Sequence, residues 1–193
     1  MNKEALIQFI LGHLHAQRQT VEEIATHFEE RTIPKNGYFL REGEASHCYM
    51  FLEEGFMRAF TFDLDGNEVT TGFYVKNSIV LEVSSFFSHT KSKENIQAIT
   101  NCQGWAITFN QLNMLFHNIP EFREFGRAIL VKGFVALKQR TLSLINETAE
   151  QRYLNLMETS PEILQFAQLK HVASYLGMTD TSLSRIRREY QKK

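Results

Sequence analysis

The sequence predicts an α+β fold: an N-terminal antiparallel β-barrel with flanking helices, a long helix, and a C-terminal helix-turn-helix. Three observations carry this expectation. Apolar residues recur at helical spacing through 3–30, change to short β-rich runs broken by glycine-bearing turns through 31–109, and return to helical spacing from Pro120 onward. The chain as a whole is weakly acidic, yet residues 170–193 hold six cations against two acids, a local net of +4, while residues 1–169 carry 15 basic and 20 acidic residues. Within 168–190 the apolar spacing reads as helix, glycine turn, helix.

In 3–30, Ala5, Leu6, Phe9, Ile10 and Leu14, then Val21, Ile24, Ala25 and Phe28, mark amphipathic helix. The turn signals Lys35-Asn36-Gly37, Glu42-Gly43-Glu44, Glu53-Glu54-Gly55 and Asp65-Gly66-Asn67 then separate short apolar runs, because glycine takes a positive φ without penalty. Strands so spaced suggest a barrel or sandwich, continuing through NIQAIT and GWAIT to about residue 109. A short helix follows over 111–117, and Pro120 suits the first position of a long one ending near Asn146, roughly 40 Å at 1.5 Å per residue. On that helix Leu130, Phe134, Leu137, Thr141 and Leu144 form one line, and Gly126, Ile129, Gly133 and Ala136 a second of mostly small residues. The first is expected to pack on the chain's own barrel. The second would let another helix approach closely, which makes Gly126, Ile129, Gly133 and Ala136 the dimer-interface candidates. A further helix, Ala149–Thr159, stops at Ser160-Pro161.

Composition excludes several classes. No stretch approaches eighteen apolar residues, and the N-terminal segment lacks a long apolar core and a small-residue cleavage site. No membrane association and a cytoplasmic location are therefore expected. Cys48 and Cys102 are too few for an iron–sulfur cluster, and neither that nor haem is expected as a cofactor. Histidines 13, 15, 27, 47, 89, 117 and 171 are scattered, with His13 and His15 on different faces of a helix, so no metal site is expected. A cupin-like enzyme would need clustered histidines where His47 stands alone. No glycine-rich phosphate loop opens a helix either, so no catalysis is expected.

The basic segment is the informative one. Val172, Ala173 and Leu176 form an apolar face, Gly177 breaks the helix, Thr179 can cap the next, and Leu183 and Ile186 face inward. The second helix then presents Thr181, Ser182, Ser184, Arg185, Arg187 and Arg188. Hydroxyls and guanidinium groups at a helix start suit phosphate contacts and bidentate reading of guanine edges in a major groove. With Lys170 and Thr179, these are the candidate contacts to double-stranded DNA.

HVASYLGMTDTSLSRIRRE resembles the helix-turn-helix of the Crp/Fnr family of bacterial transcription regulators, matching its A-x-x-L-G-(x)5-[VL]-S-R pattern at Ala173, Leu176, Gly177, Leu183, Ser184 and Arg185. The order of parts agrees, and Gly43 and Gly55 sit at matching turns. The resemblance implies a cyclic-nucleotide-binding-like sensor domain over 1–118, a dimerisation helix over 119–146 and a winged-helix-type DNA-binding domain over 147–193. It further implies a homodimer, a small-molecule effector and RNA polymerase as a further partner. Its effector pocket would fall on Glu82, Val83, Ser84 and Lys93, with Glu82 equally readable as a helix cap or N-terminal helix charge.

Departures from the family pattern matter as much. The family's F-G-E turn reads Val80-Leu81-Glu82, its Arg-Ser pair falls on Ser92-Lys93, and its adenine-facing hydroxyls fall on Leu137-Lys138. Cyclic AMP is therefore an unexpected ligand, and Ser92, Lys93 and Glu94 read as a solvated loop. Asp180 stands where the family is often basic, and any wing must come from 160–168. The alternative function is a small-molecule-binding sensor module whose basic tail is only a solvated helix.

Overall fold

The structure is a computed structural model that describes residues 2–14 and 16–190. His15, Lys192 and Lys193 lie outside the described residues. Two short helices, α1 (Glu4–Leu11) and α2 (Arg18–Thr26), precede eight strands: β1 (Glu29–Ile33), β2 (Tyr38–Leu40), β3 (Cys48–Glu54), β4 (Met57–Phe62), β5 (Glu68–Tyr74), β6 (Ser78–Val80), β7 (Asn95–Ala98) and β8 (Cys102–Thr108). Helix α3 (Val83–Ser88) interrupts them between β6 and β7. The helical pattern expected over 3–30 therefore ends early, since Glu29 and Glu30 already pair with Ala106 and Trp105 across β1 and β8.

The strands form two antiparallel four-stranded sheets, ordered β1-β8-β3-β6 and β2-β7-β4-β5. Alternation along β3 explains how one strand serves two cores. Met50 and Leu52 point between the sheets, joining Ile33, Leu40, Met57, Ala59, Val80 and Ile96. Tyr49 and Phe51 point outward beneath the helices, joining Leu6, Ile10, Ile24, Phe28, Trp105 and Ile107.

After the barrel come α4 (Phe109–Asn118), α5 (Pro120–Asn146), α6 (Ala149–Thr159), α7 (Pro161–Phe166), α8 (Leu169–Tyr175) and α9 (Asp180–Tyr190). Thr108 and Gln111 close a capping box, so α4 starts two residues before the apolar spacing indicated. Thr148 and Gln151 form another at α6. The expected wing is corrected: residues 161–166 are helical, with Pro161 at the first position, and no strand follows β8 among the described residues.

The two lines on α5 also sit differently from expectation. Phe122 and Phe125 are buried in the outer core and Ile129 packs against it, while a Cβ at Gly126 would lie 2.4 Å from the Phe116 ring of α4. The small residues nearest the barrel thus admit the chain's own helix. Past that point the helix leaves the barrel, and Leu130, Phe134 and Leu137 stand 39%, 67% and 59% exposed. The middle of the line expected to cover the barrel is thus uncovered, and Gly133 and Ala136 of the small-residue line are exposed beside it.

Candidate nucleic-acid interface and effector pocket

Helices α8 and α9 form the expected helix-turn-helix. Gly177 adopts φ +66°, which closes the turn, and a Cβ there would lie 2.8 Å from Leu144 of α5. Met178 N–H donates to the Ala173 carbonyl at 3.0 Å, and the Thr179 hydroxyl accepts from Ser182 N–H at 3.3 Å. Val172, Ala173, Leu183 and Ile186 close a third core with Tyr153 and Leu156 of α6, Ile163 of α7 and Phe56 of the barrel.

The apolar side of α9 thereby fixes which side faces out. Thr181, Ser184, Arg185 and Arg188 are exposed and follow one another at i, i+3, i+4 and i+7, so they share one face. Ser182 and Arg187 flank that face half-buried, and Lys170 is exposed on α8. Thr179 is exposed, but its hydroxyl is engaged in capping α9 and in a bond to the Ser182 hydroxyl at 3.0 Å. No carboxylate among the described residues forms an ion pair with Arg185, Arg187 or Arg188.

The candidate effector residues Glu82, Val83 and Ser84 lie together where β6 meets α3. The Glu82 carboxylate accepts from Ser84 N–H at 3.2 Å and Ser85 N–H at 2.5 Å, capping the helix with the chain's own anion. Val83 and Ser84 are exposed. The expectation of a solvated loop at Ser92–Glu94 is corrected: Ser92 is 3% exposed, its hydroxyl bonded to both the carbonyl and the N–H of Glu94. Lys93 alone of the three is exposed.

Thr71, Tyr74 and Arg140, missed in the sequence, face this region together with Glu94. Burial, and next to it the charge of Glu82, raise the Glu94 carboxyl above its ordinary range, against the lowering effect of Thr71 and Arg140. Tyr74 donates to the Leu81 carbonyl at 3.0 Å. Arg140 of α5 donates to the carbonyls of Thr70 in β5 at 3.4 Å and Tyr175 in α8 at 3.1 Å, with its guanidinium 4.4 Å from the Tyr175 ring centroid. No local motif marks Arg140, since its contacts depend on how α5 and α8 dock on β5. Leu137 and Lys138, at the family's hydroxyl positions, are exposed on α5.

The polar groups at the candidate effector residues are engaged within the chain. Amides at the start of α3 are taken by Glu82, the Ser92 hydroxyl is taken by Glu94, and Glu94 brings a half-buried carboxyl to the same place. An anion's usual partners, a guanidinium and free backbone donors, are both missing from these positions.

Residues 30–118 match the family described as cyclic nucleotide-binding domain. No curated protein sequence matches the chain. Among solved structures, the c-di-GMP-responsive global regulator CLP of Xanthomonas campestris superposes with a TM-score of 0.70 at 18% identity, over 91% of this chain and 92% of that one. FixK2 of Bradyrhizobium japonicum gives 0.73 at 16% identity, over 86% and 85%. A protein from Eubacterium rectale ascribed to the Crp/Fnr transcriptional regulators gives 0.69 at 13% identity, over 91% and 84%. With its barrel matched to the cyclic nucleotide-binding domain and its remaining helices to those of these regulators, the chain has the fold of a Crp/Fnr-type regulator.

Proposed function

We propose that the protein is a homodimeric, sequence-specific DNA-binding transcription regulator of the cytoplasm, rather than an enzyme. The observation that supports this best is α9: Thr181, Ser184, Arg185 and Arg188 form one exposed face on a helix held rigidly by its buried side. A dimer built on the uncovered line of α5 would carry two such helices. Its operator would be a near-palindrome with half-sites about 34 Å apart. RNA polymerase is the further partner such a regulator would meet.

Fluorescence anisotropy with labelled duplex tests the reading. Affinity should fall steeply with salt, as phosphate contacts release counterions. Arg185→Ala should cost about 1–3 kcal/mol on the operator and relax preference at one base pair per half-site. Arg188→Ala, as a phosphate contact, should weaken all sequences alike and flatten the salt dependence. Salt-independent binding, or none to any duplex, would favour the stand-alone sensor module.

The barrel of this regulator does not bind cyclic AMP. A phosphate placed at α3 would meet the Glu82 carboxylate instead of open amides, and desolvating an unpaired anion costs several kcal/mol. Calorimetry with cyclic AMP should show no binding in the micromolar range. A low-micromolar dissociation constant would mean that Glu82 leaves the amides to the ligand. Any effector is then a different small molecule.

A further inference from the structure

The barrel and the helix-turn-helix meet along a polar seam that the DNA-reading hypothesis does not use. Arg58 of β4 is 1% exposed, the largest fully buried side chain among the described residues. It pairs with the Glu68 carboxylate of β5, lies 4.1 Å from the Phe60 ring centroid, and donates to Nδ1 of His171 on α8. One helical turn on, the Ser174 hydroxyl bonds the Thr70 hydroxyl at 3.0 Å and accepts from Thr70 N–H at 3.2 Å, and Tyr175 packs on Phe73 of β5 with ring centroids 5.1 Å apart. His171, Ser174 and Tyr175 thus form one face of α8, seated on β4 and β5. The other face of α8 carries Val172 and Ala173, which hold α9. The position of the reader helix is therefore tied to this seam.

Arg58 has only donors to offer, so Nδ1 of His171 can receive its hydrogen bond only while that nitrogen is unprotonated. We propose that His171 is a proton-operated latch between barrel and reader: neutral, it accepts from Arg58 and holds α8 on β4 and β5; protonated, it meets the same buried guanidinium as a second cation and releases α8.

The charges facing the ring come from every element around it. Arg58 of β4 and Lys170 of α8 oppose protonation, while Glu68 of β5 and Asp180 of α9 favour it. Burial dominates, followed by Arg58, and together they hold His171 at about 4 against an ordinary value of 6.5. The docked state takes up the proton less readily than the released state. Docking is therefore at full strength above pH 6.5 and weakens as pH falls from 6.5 towards 4. Between pH 7.5 and 5.5 the release equilibrium should rise about tenfold.

Amide hydrogen exchange on the full chain tests the latch, with each rate corrected for the intrinsic effect of pH. Protection over β5 and α8 should fall about tenfold from pH 7.5 to 5.5, while protection over β3, in the other sheet, should change far less. In His171→Asn a carboxamide oxygen takes the place of Nδ1 and does not titrate, so the same segments should keep their protection at both pH values. His171→Gln serves in the same assay if the asparagine variant folds poorly. Equal losses in wild type and variant, or no loss in wild type, would overturn the proposal. Because the readout needs no DNA, its failure would leave the DNA-binding reading standing.

Discussion

Phe134→Glu/Leu137→Glu is expected to be a folded monomer with little operator affinity. In the single chain these side chains are 67% and 59% exposed, so replacing them should change the stability of one chain by less than about 0.5 kcal/mol per site. In a two-fold seam each carboxylate would face its own copy in an apolar setting, at a cost of several kcal/mol. The dimer dissociation constant should rise by roughly a thousandfold or more, which corresponds to about 4 kcal/mol. Light scattering reads the mass, and circular dichroism checks that the helices persist. Gly133→Leu is a milder companion: a Cβ there meets nothing within 4 Å in the chain, so any loss of dimer must come from the partner. A double variant that stays dimeric would place the seam elsewhere.

Gly104→Val should be the most damaging single change in the barrel. Gly104 lies in β8, between β1 and β3, opposite Arg31 on one side and Leu52 on the other. A Cβ at this position would sit 2.0 Å from the Phe51 carbonyl oxygen, a backbone atom that cannot swing aside. Relief requires moving β3 off β8, which disturbs both the inner core at Leu52 and the outer core at Phe51. A loss of about 4 kcal/mol or more is expected, lowering the melting temperature by about 10 °C. A shift of only two or three degrees would show slack in the sheet.

Some of this architecture was legible because it is local. Pro120 at a first helical position, the Gly177 turn, and the 3.6-residue spacing of Val172, Leu176, Leu183 and Ile186 depend on neighbours within one or two turns of chain. The limits of α5 and α6 could therefore be read to the residue, whereas the start of β1 could not. Glu29 and Glu30 look helical until Ala106 and Trp105 arrive from the far end of the barrel to pair with them. The wing failed for a related reason: Pro161 starts a helix as readily as it ends one.

The candidate site divides along the same line. Which face of α9 is exposed was determined by the sequence alone, since apolar residues at 183 and 186 oblige Thr181, Ser184, Arg185 and Arg188 to face away. What only the tertiary structure decided is which polar groups meet across the fold. Arg140 spans Thr70 and Tyr175, and Arg58 reaches His171. Those partners lie tens of residues apart, and a lone arginine or histidine carries no periodic mark of its partner. Only the docking of α5 and α8 on β5 brings them within hydrogen-bonding distance, because helical and strand periods specify which way a side chain points but not what the chain later places in front of it.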